Sequence, residues 1–167
     1  KPSIQEDDLP DLPEGWCWTR LPEIAFINPR THLDDETMVS FIPMDLVPTE
    51  YGDPVRKETR LWRDIRKGFT HFQEGDVAFA KITPCFQNRK SAVIRGLTNG
   101  FGAGTTELVV FRCDPRYIAP EYLLMFFKSP GFVQGGVDNM KGTAGQQRVP
   151  KDYYISVPFP LPPTAEQ

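Results

Sequence analysis

Phe72-Gln-Glu-Gly-Asp-Val-Ala-Phe-Ala-Lys-Ile-Thr83 decides the fold. Gly75 and Asp76 supply turn chemistry, and Val77 to Thr83 then reads as a mostly buried strand with one lysine, Lys81, near its exit. Working outward toward the C-terminus, Pro84 to Lys90 is a loop and Ser91 to Arg95 a second strand. Leu97 to Gly104 is a glycine-rich connection, and Thr105 to Arg112 a third strand with Leu108, Val109, Val110 and Phe111 as its apolar run. Pro120 to Ser129 carries the strongest helix signal: proline in the first turn, then Tyr122, Leu123, Met125, Phe126 and Phe127 as a broad apolar face. Pro130-Gly131 is read as its stop. Val149 to Tyr154 is a short helix, and Ile155, Val157 and Phe159 a last strand that Pro158 places at an edge.

Toward the N-terminus, Met38 to Pro43 is strand-like and Leu21 to Ile27 reads as a short helix halted by Pro29. Trp16 and Trp18 alternate as on one face of a strand. Asp45 to Lys67 is polar and charged, a surface excursion with the character of a variable recognition loop. These elements predict a mixed α/β, strand-rich fold of small twisted sheets, with one main helix near 119–129. A flexible acidic leader is expected over 1–11, and Pro162-Pro163 opens a truncated C-terminal helix.

The 167 residues are most simply one domain, and 40% apolar with 12% aromatic residues excludes a disordered chain. Seventeen prolines and thirteen glycines favour short strands and turns over a helical bundle. Cys17, Cys85 and Cys113 are scattered, without Cys-x-x-Cys spacing, and are expected to be reduced and partly buried. With only His32 and His71 beside them, no zinc cluster can be assembled. No apolar run reaches the roughly 20 residues a bilayer-spanning helix needs, and the acidic start is unlike a signal peptide. A cytoplasmic, soluble domain with no membrane partner is expected.

The net charge of −3 is unevenly spread. Residues 61–167 hold thirteen bases against nine acids, a local +4, and Val77 to Thr106 contains Lys81, Arg89, Lys90 and Arg95 without an acid. A local patch, not the total, is what meets phosphate. The plainest reading of such charges is a solvated surface.

Three catalytic patterns fail on chemistry. Phe101-Gly-Ala-Gly104 has the look of a cofactor-binding glycine loop, but a strand follows it where a helix N-terminus is needed. Leu161-Pro-Pro-Thr164 lacks both the polar first residue and the stacking aromatic of an adenine methyltransferase loop. Asp76, Glu107 and Lys81 do not fit the acid-x-Lys strand of a metal-dependent nuclease. Asp76 is expected to cap the turn at Gly75, and Glu107 to meet a nearby basic side chain or backbone amide.

What remains is a binding face. Gly142 and Gly145 release the backbone just before Gln146-Gln147-Arg148, and glutamine and arginine make bidentate hydrogen bonds to adenine and guanine edges. Lys81, Arg89, Lys90 and Lys151 are expected to contact phosphate and set register, with Thr83, Asn88 and Lys141 in the same loops. Each residue alone reads as an exposed polar side chain. Their grouping in two glycine- or proline-bounded loops points to double-stranded DNA. A protein-docking loop without base preference, and a metal-dependent nuclease, are the competing classes.

The ordered set Leu12-Pro-Glu-Gly-Trp16, Phe72-x-x-Gly-Asp-Val77, Ala80-Lys-Ile-Thr-Pro-Cys-Phe86, Lys90, Thr105-Thr-Glu107, Gly142-Thr-x-Gly-Gln-Gln-Arg148 and Pro160-Leu-Pro-Pro-x-x-Glu-Gln167 resembles the target recognition domain of type I restriction–modification specificity subunits (HsdS). The resemblance implies a recognition domain over 12–160 and the start of a conserved spacer helix over 161–167. It also implies a non-catalytic chain that reads one half of a bipartite sequence, with a second recognition domain in the same or another chain. The cofactor S-adenosylmethionine would belong to partner modification (methyltransferase) subunits, and cleavage to a motor–nuclease restriction subunit. No cofactor, metal or catalytic residue is expected in this chain.

Overall fold

The computed structural model describes residues 8–167, so most of the expected 1–11 leader lies outside the described residues. Strand β6 (Val77–Ala80) is buried at every position and sits at the centre of the molecule. It runs antiparallel to β7 (Ser91–Val93) on one side and β9 (Leu108–Cys113) on the other, and β2 (Ala25–Ile27) completes the sheet beside β9. Because side chains alternate along a strand, the sheet sends one set of residues to each face. Val77, Phe79, Val109 and Phe111 pack toward the helices, while Ala78, Ala80, Leu108 and Val110 pack toward a second sheet.

That second sheet has the order β4 (Glu58–Leu61), β3 (Met38–Ile42), β8 (Phe101–Gly104), β5 (Thr70–Gln73). Its β3–β8 pair is parallel and the others antiparallel. Of Leu97 to Gly104, expected to be a connection, only the part up to Gly100 is a turn, and Phe101–Gly104 is therefore an inner strand. Its glycines are there for packing: a Cβ on Gly102 would lie 2.5 Å from both the Phe72 ring and the Ser40 carbonyl oxygen, and one on Gly104 would lie 2.6 Å from the Ile42 carbonyl oxygen. The outer face of this sheet is closed by α2 (Trp62–Ile65), whose Trp62 and Ile65 pack on Val39 and Ala103. Asp45 to Lys67 is thus only in part an excursion, since its last third returns as a strand and a helical turn. His71 lies inside, accepting from the Thr31 N–H at Nδ1 and placing Nε2 2.9 Å from the Arg66 carbonyl oxygen. Burial lowers its pKa, so it is a neutral structural histidine.

On the helical side, α3 (Pro120–Phe127) matches the helix expected near 119–129. A second helix, α4 (Pro130–Asp138), follows at once. The Pro130-Gly131 pair expected to end α3 instead begins α4: Ser129 accepts from the Phe132 N–H as its N-cap, and proline fits the first turn. The glycines within α4 also have a use. A Cβ on Gly135 would press on the Tyr153 hydroxyl, and one on Gly136 would enter the Phe86 ring. Phe79 is the hub of this half, with Phe86, Phe111, Phe127, Phe132 and Tyr154 at centroid distances of 4.9–5.8 Å.

Leu21 to Ile27 splits into α1 (Leu21–Ile24) and β2, because Asn28 lies at φ 49° and its side chain accepts from the Val110 N–H, which fastens the segment to β9. Cys85 and Cys113 are half-buried, but Cys17 is exposed. Cys17 belongs to β1 (Cys17–Thr19), which pairs with β10 (Phe159–Leu161). The last apolar run divides too: Ile155 belongs to α5 (Lys151–Ser156) and Phe159 to β10. Leu161 closes that strand, so the 160/161 boundary falls inside it. A short 3-10 turn follows at Thr164–Glu166.

The C-terminal segment is tied to the body. Glu166 accepts from the Trp16 indole N–H at 2.7 Å. The Gln167 amide accepts from the Ala119 N–H at the start of α3 and donates to the carbonyls of Tyr117 and Pro162. Among the described residues no helix is long and apolar enough to cross a membrane.

Candidate nucleic-acid interface

The exit of β6 is where the two polar loops meet. Lys81 donates its N–H to the Glu107 carbonyl at 2.8 Å, and its own carbonyl accepts from the Val149 N–H at 2.9 Å. Two residues on, the Thr83 N–H donates to the Gln147 carbonyl at 2.9 Å, and Ile82 forms an antiparallel bridge with Arg148. Lys141 and Arg148 exchange both backbone hydrogen bonds, at 3.0 and 2.9 Å, and the Gln146 N–H closes the turn on the Thr143 carbonyl. Residues 141–148 are therefore a small hairpin, docked backbone to backbone on the strand exit. Its shape requires glycine at 142, where φ is 121° and a Cβ would sit 2.8 Å from the Gln146 carbonyl oxygen.

The side chains divide into occupied and unoccupied donors. Arg148 lays its Nε and Nη2 on the Glu107 carboxylate at 2.8–3.1 Å. These bonds, and then the charge of Lys81, hold the Glu107 carboxyl below its usual range against the opposing effect of burial. The expectation that Glu107 meets a basic side chain holds, and its partner is one of the expected readers. Gln146 and Lys141 are exposed and Gln147 is half-buried. Thr83 accepts from the Gln87 amide at 2.6 Å, and that amide also lies 3.7 Å from Met140 Sδ. Sequence reasoning passed over Gln87. Its signal was the four-residue step from Thr83, since residues 82–88 coil with Phe86 N–H on Ile82 and Asn88 N–H on Pro84.

The other end of that loop is built differently. Asn88 and Arg89 are exposed, and Arg89 takes φ 59°. Lys90 turns its Nζ to the Met44 carbonyl at 2.9 Å. Beside it, Lys128 is buried and donates to the carbonyls of Thr49, Arg89 and Ser91 at 2.8–3.0 Å. Burial pushes its ammonium down to about 8, so it still carries its proton at neutral pH. Glu50 and Asp53, from the excursion, add negative charge around it. The structure thus brings Lys81, Thr83, Lys141, Gln146, Gln147 and Arg148 together, while Lys90 serves the fold. Lys151 is the exposed first residue of α5.

Asp76 and Glu107 are committed to separate arginines. Asp76 is buried, receives Nε and Nη2 of Arg112 at 3.0 Å, and also accepts from the Gln73 N–H, holding the Gly75 turn as expected. Among the described residues no group of three His, Cys, Asp or Glu is placed to hold a metal ion.

Fold and face define a class: a mixed α/β module that presents two interlocked polar loops at the exit of its central strand. No family model matches the chain. Its sequence is 49% identical, over 99% of its length, to the type I restriction enzyme EcoAI specificity subunit of Escherichia coli. It is 45% identical over 98% of its length to the EcoEI specificity subunit of the same organism. The chain spans 28% of each of these relatives. The fold is shared with the HsdS subunit of Thermoanaerobacter tengcongensis, at a TM-score of 0.75 and 22% identity over 95% of this chain and 41% of that one. It is shared equally with a chain from a structure of type I R-M complex assembly and conformational transition, at TM-score 0.74 and 23% identity over 95% of this chain and 40% of that one. The resemblance carried by the ordered motifs therefore holds: this chain is homologous to a segment of type I specificity subunits.

Proposed function

We propose that this chain is a target recognition domain that reads one half-site of a bipartite double-stranded DNA sequence within a type I specificity subunit. The observation that carries the reading is the docking of the 141–148 hairpin on the exit of β6. It gathers Lys81, Thr83, Lys141, Gln146, Gln147 and Arg148 at one strand exit of a chain homologous to specificity subunits. Lysines supply salt-sensitive phosphate contacts, and amides at a hairpin tip suit base edges in the major groove. Asn88, Arg89 and Lys151 extend the phosphate track, and residues 12–160 are the reading unit, with 161–167 leading to a spacer helix.

In this reading the chain is non-catalytic and holds no cofactor. Methyl transfer from S-adenosylmethionine and cleavage belong to modification and restriction subunits, and the other half-site belongs to a second recognition domain. An exchange of domains tests it. Residues 12–160 replace one recognition domain of a characterised specificity subunit, which is co-expressed with its modification subunits, and methylated adenines are mapped across the genome. The expected result is a new half-site beside the unchanged second one. A chimera that folds and assembles but leaves only background methylation overturns the reading in favour of a protein-docking domain.

A further inference from the structure

Glu107 is drawn into the recognition face by two separate connections. Its carbonyl takes the Lys81 N–H at 2.8 Å, and its own N–H is held by the Thr105 hydroxyl at 3.2 Å, which fixes the turn between β8 and β9. Its carboxylate then receives the Nε/Nη2 edge of Arg148 at 2.8–3.1 Å. Arg148 is also paired through its backbone with Lys141 across the hairpin, and its Nη1 faces the Gln146 carbonyl at 3.4 Å. The ion pair therefore closes a bracket around the strand exit: turn 105–107 on one side, hairpin 141–148 on the other, Lys81 to Thr83 between them.

We propose that Glu107 and Arg148 are positioning residues of the recognition face, and that base readout falls to Gln146 and Gln147. The inference rests on the DNA-reading function above and refines which side chains perform it. Two physical arguments support it. The arginine edge that matches a bidentate acceptor is already on a carboxylate, whereas the side chains of Gln146 and Gln147 have no hydrogen-bond partner among the described residues. A carboxylate on a face that meets phosphate repels it unless neutralised, and Arg148 with Lys81 neutralises Glu107. Arg148 thus holds the hairpin in place and masks a negative charge.

A base-reading arginine and a positioning arginine respond oppositely when the carboxylate is removed as well. The test uses the full specificity subunit carrying this segment, assembled with its modification subunits, and measures the rate of adenine methylation at limiting DNA and the preference at each base pair of the half-site. Arg148→Ala alone leaves Glu107 unmasked, and the rate falls about tenfold or more. Adding Glu107→Ala to it removes the exposed charge but does not rebuild the bracket, so the rate recovers only in part, with the methylated sequence unchanged. A preference relaxed at a single base pair overturns the inference and makes Arg148 a reader, and a double variant no better than Arg148→Ala overturns its charge-masking role. If Arg148→Ala does not fold, Glu107→Gln decides. It keeps an acceptor for the guanidinium, and the methylated sequence is expected to stay the same at every base pair; relaxation at one of them overturns the inference. If wild type itself methylates no defined half-site through this segment, the DNA-reading function fails, which is a different result from any of these.

Discussion

Lys128 and Arg148 are both cations held by oxygen atoms, but their partners differ. Lys128 is 5% exposed and meets three backbone carbonyls, from Thr49, Arg89 and Ser91. Arg148 stands at the surface and meets one carboxylate. Carbonyls solvate a charge without cancelling it, so Lys128 acts as a fixed pin where three stretches of backbone converge. A carboxylate cancels the charge, so the Arg148 pair organises a surface and leaves it close to neutral. A buried cation with no competing water builds the fold, and an exposed ion pair aims what lies beside it.

Lys128→Met keeps the stem but leaves three carbonyls without their donor, and should lower unfolding free energy by about 2–4 kcal/mol, seen in chemical denaturation. A loss under about 0.5 kcal/mol would mean that water replaces the ammonium easily and that the site is no pin. Gly102→Ala tests the sheet behind the recognition face. Its Cβ must displace the Phe72 ring or the β3 backbone, costing about 1–3 kcal/mol by the same measurement.

Effects on the exposed side should fall on DNA rather than on folding. Gln146→Ala and Gln147→Ala leave the melting temperature unchanged, and each lowers discrimination at one base pair by about tenfold, read as methylation of mismatched half-sites. Lys81→Ala instead weakens binding evenly across sequences and reduces the slope of log affinity against log salt by about one. The smallest effect belongs to the ion pair in acid. The Glu107 carboxyl is held below its unfolded value by Arg148, so the stability it contributes is present above the unfolded pKa and is lost as pH falls through the folded one. The melting-temperature gap between wild type and Glu107→Gln should therefore be open at pH 7 and close on acidification. A gap that widens toward low pH would contradict the assigned pairing.

Much of this was legible along the chain. The turn at Gly75, the buried run after it and the helix from Pro120 rest on local chemistry that tertiary contacts did not need to change. Two of the failures share one cause, which is glycine. Gly102 and Gly104 spelled a loop because their permissive backbones are visible in sequence, while the Phe72 ring that demands their missing side chains is about 30 residues away. Gly131, Gly135 and Gly136 hid α4 in the same way, since Phe86 and Tyr153 supply the reason for two of them. In the hairpin, Gly142 and Gly145 were read correctly because their positive φ is a local need. The site was half legible for a related reason. Residue type showed which side chains can hydrogen-bond, but not that Lys90 spends its ammonium on Met44 or that Arg148 spends an edge on Glu107.

The pairing of β1 with β10 sets Cys17 opposite Leu161, Trp18 opposite Pro160 and Thr19 opposite Phe159. Facing residues in an antiparallel pair lie about 5 Å apart. Everything from the first strand to the last is thus a closed loop of chain with adjoining ends, fastened by the Trp16–Glu166 hydrogen bond as by a clasp. Such a module behaves like a plug. Its two ends leave it side by side, across a gap hardly wider than a single strand spacing.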